Sequence, residues 1–209
     1  MTDLAQILAS TPWLLAACIF LLSLLVGSFL NVVIHRVPIM LEREWKAQAR
    51  EMLVEPGRAD ENSNVDERSD GSPERYNLLV PRSRCPRCNA EITALQNIPV
   101  VSWLLLGGKC ASCRTSISVR YPIVEFATAV LSAAVAMHFG WHWQTLAALL
   151  FTWALISLTV IDLDHTLLPD IITMPLLWLG LLLSLFWHAG LTAPAPTDPA
   201  SAILGAVCG

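Results

Sequence analysis

The chain has 209 residues, 55 % of them hydrophobic and 14 % charged, with a formal net charge of −4. A water-soluble domain carries about a quarter charged residues, so this composition excludes that class. It also leaves no basic nucleic-acid surface, and no glycine-rich nucleotide loop is present.

The apolar residues fall in runs. Residues 13–34, 122–139, 143–161 and about 167–187 approach or exceed the length that spans a bilayer as a helix, and a fifth run occupies 200–209. Backbone amides in lipid must be satisfied within helices, so the fold class is an all-α polytopic membrane protein, a helical bundle. All thirteen Lys and Arg lie between Arg36 and Arg120. The positive-inside rule therefore predicts that 36–120 is cytoplasmic, with the N-terminus and the 139–143 hairpin outside. The expected division is a first span in 1–35, a cytoplasmic domain in 36–120, and a transmembrane bundle in 121–209.

Residues 1–11 hold one acid and no cation, so the basic region of a secretory signal is missing and 13–34 reads as a retained span. Near its inner end Ser28, Asn31 and His35 share one helical face. That face predicts a polar helix–helix seam, with Gly27 and Ser28 permitting close approach; a substrate contact is the competing reading. Residues 41–53 suggest a short amphipathic helix on the inner surface, its apolar side made by Trp45, Ala49 and Met52. Residues 55–75 have almost nothing to bury and predict a solvated, mobile loop.

Cys85-Pro-Arg-Cys88 and Cys110-Ala-Ser-Cys113 form two C-x2-C pairs separated by 21 residues, within knuckles expected over 84–118. Two such knuckles complete a tetrahedral thiolate site, and zinc is the expected metal. Iron has the same ligand count and stays open. Two disulfides or a redox pair fit a cytoplasmic segment less well. Arg84, Arg87, Lys109 and Arg114 crowd the pairs and are expected to lower the thiol pKa values. Cys18 and Cys208 sit in apolar runs and read as inert packing residues.

Between the knuckles, 98–106 is apolar enough to dock on the membrane or on the bundle, and Gly107-Gly108 breaks it. Pro122 suits the start of the second span. Glu125 follows closely and reads as an interfacial carboxylate near Arg120. His138, Trp141, His142 and Trp143 resemble an outer interfacial belt, with Gly140 forming a turn. Residues 160–170 then place Asp162, His165, Asp164 and Asp170 between two charge-free runs. Asp164 and Asp170 suit the headgroup zone. Asp162 directly follows Leu-Thr-Val-Ile, is expected to be the most deeply held, and is the candidate for chemistry.

Taken together, these residues resemble the type IV prepilin peptidases, or leader peptidase/N-methyltransferases. The resemblance rests on Gly27-Ser-Phe-Leu-Asn-Val-Val-Ile-His-Arg-Val-Pro38, Asn97-Ile-Pro-Val-Val-Ser-Trp103, the two cysteine pairs, Arg120-Tyr-Pro-Ile-Val-Glu125 and Ile161-Asp-Leu-Asp-His-Thr-Leu-Leu-Pro-Asp170, in that order. It implies a multi-pass aspartic protease of the bacterial inner membrane. Such an enzyme removes the leader of prepilins and type II secretion pseudopilins on the cytoplasmic side, and many members then methylate the new N-terminus with S-adenosylmethionine. By resemblance Asp162 is the first catalytic aspartate, and Cys85, Cys88, Cys110 and Cys113 are the zinc ligands. The family's second aspartate lies in a Gly-x-Gly-Asp motif, which Asp164, Asp170 and Asp198 do not match. The chain is accordingly expected to be an N-terminal part ending within the fifth span, able to fold and bind zinc but not to cleave prepilin alone. The alternatives are a non-enzymatic membrane protein whose zinc knuckle recruits a partner, and a membrane thiol oxidoreductase.

Overall fold

Charge-free runs of bilayer length, bordered by proline, glycine or acid, decide where the helices lie. The computed structural model describes residues 2–53, 77–78, 85, 87–91, 99–188 and 199–208. Its helices are α1 (Thr2–Ser10), α2 (Pro12–Leu53), α3 (Val101–Leu105), α4 (Arg120–Phe139), α5 (Trp143–His165), α6 (Asp170–His188) and α7 (Pro199–Cys208). α2, α4 and α5 are each long and apolar enough to cross a membrane. α6 has 19 residues, about 28 Å at 1.5 Å per residue and close to a hydrocarbon thickness. The chain is a multi-pass helical membrane protein with a small four-cysteine lobe between its first two spans. The loop expected at 55–75 falls outside the described residues.

The first departure from expectation is α2. Residues 41–53 are not a separate surface helix but the unbroken end of a 42-residue helix, about 63 Å long, that passes through Pro38. Glu42, Arg43, Lys46, Ala47, Gln48 and Ala49 are strong helix formers, and the Lys46 ammonium lies 3.3 Å from Glu42 one turn back. Extending an existing helix costs far less than nucleating another. At the other end of the chain's apolar hairpins, Gly140 (φ 68°) stops α4, and the His142 ring nitrogen lies 2.8 Å from the Phe139 carbonyl. That is the expected turn. α6 starts at Asp170 instead of 167, which sets a carboxylate at a helix N-terminus, where the dipole favours it.

α2 and α4 form the most extensive helix pair, with α5 packed on both. Leu30 and Ile34 of α2, Val124 of α4 and Ile161 of α5 make the buried centre, and Trp153, Ile156 and Val160 close around it. The α2–α4 approach depends on Gly27. A Cβ there would lie 2.7 Å from the Glu125 Cα, inside contact distance with backbone that cannot swing away. Gly27→Val should therefore destabilise the bundle by about 1–3 kcal/mol, read as a lower unfolding midpoint in detergent. A midpoint equal to wild type would show that the helices can separate freely.

Two hydroxyls buried on α4 are satisfied along their own helix: Thr128 donates to the Val124 carbonyl and Ser132 to that of Thr128, both at 2.7 Å. The Trp153 indole N–H then donates to the Ser132 hydroxyl at 2.9 Å, tying α5 to α4. On the opposite side of α4, Ile123, Phe126, Val130 and Met137 are exposed. In a spanning helix such a stripe faces lipid.

Candidate functional site

The two cysteine pairs fold into matching knuckles. In the first, the Cys85 N–H donates to the Ala90 carbonyl (3.0 Å) and the Asn89 N–H returns to Cys85 (2.9 Å). In the second, the Cys110 N–H donates to Thr115 (2.8 Å) and the Arg114 N–H returns to Cys110 (3.0 Å). Both turns require the fourth residue after the leading cysteine to be left-handed, and Asn89 (φ 53°) and Arg114 (φ 55°) are. Asparagine tolerates that region; arginine pays about 1–2 kcal/mol there. Arg114→Gly should accordingly stabilise the lobe by about 0.5–1 kcal/mol once glycine's larger unfolded entropy is subtracted, seen as slower metal loss to a chelator. Faster loss would mean that the Arg114 side chain outweighs its strain.

The knuckles bring all four sulfurs within 4.8 Å of one another. The Cys85 and Cys113 sulfurs are 3.7 Å apart. A tetrahedron with metal–sulfur bonds of about 2.3 Å has edges of about 3.8 Å, whereas a disulfide needs about 2.05 Å. All four cysteines are free thiols arranged as a metal site, and they can hold a metal ion.

Electrostatics corrects one expectation. The neighbouring cations are not what tunes these thiols. The Thr115 hydroxyl, 3.2 Å away, and the Thr115 backbone lower Cys113 to about 6. The Arg87 and Cys88 backbone N–H groups lower Cys85. Cys88 is lowered by the Ala90 backbone but pushed up overall to about 11, chiefly by the neighbouring Cys113 sulfur. Four thiolates this close cannot all stay charged without a cation among them. Arg87, Lys109 and Arg114 are exposed at the lobe's rim, and Arg84 falls outside the described residues. Cys18 and Cys208 are exposed on α2 and α7 and do not pack as expected.

The lobe is joined to the bundle through Glu125, which is buried and is not the interfacial partner of Arg120. Its carboxylate accepts the Val100 N–H at 2.8 Å, and Ser28 and Asn31 offer further donors. Asn31 also donates to the Tyr121 carbonyl at 3.1 Å. The polar seam read from α2 is thus real for Ser28 and Asn31, whereas His35 is exposed beyond it. Val100 sits at φ 57°, strained for a β-branched residue, and this hydrogen bond helps to hold it there. Glu125 as the hub was not legible from its neighbours in sequence; Ser28 and Asn31 on one face were the only hint. Trp103 completes the junction, donating its indole N–H to Ile117 (3.3 Å) over Gly108, where a Cβ would strike the ring at 2.8 Å.

Asp162 is exposed on the surface of the bundle, even though the adjacent Ile161 is fully buried. One residue along a helix turns the side chain by about 100°, enough to move from core to surface. Arg120 reaches Asp164 instead, joining the start of α4 to the end of α5. Asp164 and Asp162 lie about 200° apart on the helix. Asp162 therefore looks out on the other side, beside Leu163, which is 78 % exposed. The structure does not bring a second acid to it among the described residues.

Comparison with known proteins gives the family. Residues 21–139 match the model of the bacterial peptidase A24 N-terminal domain, and 149–209 that of the type IV leader peptidase family. A prepilin leader peptidase/N-methyltransferase of Aeromonas salmonicida (strain A449) is 56 % identical over 185 residues, covering 88 % of this chain and 60 % of the relative. One from Pseudomonas aeruginosa is 51 % identical over 207 residues, 99 % of this chain and 64 % of the relative. One from Neisseria gonorrhoeae is 51 % identical over 188 residues, 90 % and 59 % respectively. The chain spans about three fifths of the length of these curated relatives. No solved structure matches it. With the family model covering more than half of the chain and the cysteine lobe set between the first two spans, the protein belongs to the type IV prepilin peptidase family.

Proposed function

We propose that this chain is the larger part of a prepilin leader peptidase/N-methyltransferase of the bacterial inner membrane, with the cysteine lobe in the cytoplasm. The observation that carries this is its 51 % identity to a relative so named over 99 % of its length, a match that takes in both the cysteine lobe and Asp162. The placement of every Lys and Arg between Arg36 and Arg120 supports the orientation.

In this reading Asp162 is one of two catalytic carboxylates. An aspartic protease divides the work: one ionised carboxylate takes a proton from water and later passes it to the leaving amine, while its protonated partner donates its proton to the scissile carbonyl oxygen. Asp164 is engaged by Arg120 and Asp170 opens α6, which leaves Asp162 as the acid on the open face. The second carboxylate is supplied by the part of the relatives' length that this chain does not span, packed over the exposed Asp162–Leu163 side. Prepilins, and the pseudopilins of type II secretion, enter as transmembrane helices whose leaders project toward that end.

Zinc is the proposed ion of the cysteine site. Four thiolates fill a tetrahedral shell and leave no position for substrate, so Cys85, Cys88, Cys110 and Cys113 hold a structural metal that closes the lobe. S-adenosylmethionine, implied by the relatives' name, is not matched by the groove beside α3. Trp103, Leu104, Ile123 and their neighbours there offer nothing to its charged groups.

The test is direct. Protein of the relatives' full length, purified and mixed with a prepilin, should release the leader and leave a methylated N-terminus, both visible by mass spectrometry. An intact prepilin after prolonged incubation with folded, metal-loaded protein would favour the reading as a membrane anchor that recruits a partner through its cysteine lobe.

A further inference from the structure

The cysteine lobe is polar at its rim, yet α3 leaves Leu104 64 % and Leu105 82 % exposed. Beside them a groove of about 310 Å³ opens between α3 and the first two turns of α4, walled by Trp103 and Leu104 on one side and Pro122, Ile123 and Phe126 on the other. Its volume lies within the range of small-molecule sites. Its chemistry does not suit most of them.

Three features say what occupies it. The first is depth: Arg120, the last cation of the chain, opens α4, so the groove sits where charged chain gives way to a bilayer-length apolar helix. The second is continuity. Ile123 and Phe126 begin the exposed stripe that continues through Val130 and Met137 on the side of α4 away from the core, so whatever covers the stripe runs on into the groove. The third is the lack of polar partners. Among the described residues no polar side chain other than the Trp103 indole lines the groove, and that indole N–H is already bonded to Ile117. A peptide or polar cofactor would lose its water there and gain no hydrogen bond in return; hydrocarbon has nothing to lose.

We propose that the groove is a lipid site. The acyl chain of a phospholipid lies between α3 and α4, and α3 is an in-plane segment with Leu104 and Leu105 sunk into the leaflet on the cation-bearing side. The cysteine lobe is then held at the membrane surface by its own apolar tip as well as by its chain connection to α4. This does not depend on the peptidase reading.

The experiment uses purified protein of full length in vesicles of phosphatidylethanolamine and phosphatidylglycerol, with some phosphatidylglycerol carrying a diazirine midway along one acyl chain. After irradiation, mass spectrometry should find lipid adducts on Leu104, Leu105, Ile123 and Phe126, and Ala127→Trp, which fills the groove, should remove most of those at Leu104. If that variant fails to reach the membrane, wild-type labelling decides alone. Hydroxyl-radical footprinting of the same vesicles should leave Leu104 and Leu105 unmodified. Strong modification there means that α3 faces water, and protection from both reagents means that protein covers it; either result overturns the proposal.

Discussion

Replacing Asp162 by alanine or asparagine in protein of the relatives' full length should abolish leader removal, lowering its rate by about 10²–10⁴-fold or more, with the protein still in the membrane at its normal level. The two outcomes separate because of where Asp162 lies. It is exposed at the end of α5, and substitutions at such positions usually change stability by only about 0.5 kcal/mol. Lost cleavage would thus report chemistry, not unfolding. Asp164→Asn is the matched control. It breaks a partly exposed ion pair with Arg120, a loss of about 0–1 kcal/mol, and should leave most cleavage intact. Wild-type cleavage by Asp162→Asn would remove this residue from the mechanism and with it the aspartic reading.

Substituting Cys85 or Cys110 by serine should release the metal, because each change opens a four-ligand shell. Structural zinc contributes on the order of 10–16 kcal/mol to small zinc-binding folds, as large as a domain's usual net stability of about 5–15 kcal/mol. The lobe should therefore unfold locally while the bundle persists. Elemental analysis of the purified protein reads the metal, and hydrogen exchange over residues 99–118 reads the loosening. Cys18→Ser, exposed on α2 and remote from the cluster, should change neither. Unchanged metal content in Cys110→Ser would show that the four sulfurs, close as they are, do not hold the metal. The elemental assay also separates zinc from iron.

Much of this is legible in the amino-acid sequence. Long charge-free runs admit only helices in lipid, and two C-x2-C pairs are local units whose backbone turns are set by short-range hydrogen bonds. The chain therefore announced its apolar helices and its four-cysteine cluster directly. The errors have a common origin in side-chain direction. Glu125 was read from its nearness to Arg120 in sequence, but the helix carries it to the core face, against Gly27 and the Val100 N–H. Arg120 is left to reach Asp164, forty-four positions away. Asp162 directly follows Leu-Thr-Val-Ile, yet of these neighbours it is Ile161 that fills the core while Asp162 stands on the bundle's surface. The thiols, too, are tuned by Thr115 and backbone N–H groups, not by cations that sit at the rim.

What the amino-acid sequence determined on its own was class and inventory: a multi-pass helical protein, four cysteines spaced to grip one ion, and an acid where an apolar run stops. These follow from length, spacing and transfer energies, which are properties of the chain itself. Only the tertiary structure decided which acids are buried, which are paired and which stand open, and that Gly27 brings α2 and α4 close enough for Glu125 to hold the cysteine lobe. The physical reason is that burial and pairing depend on how helices turn against one another, and a rotation of one residue exchanges core for surface.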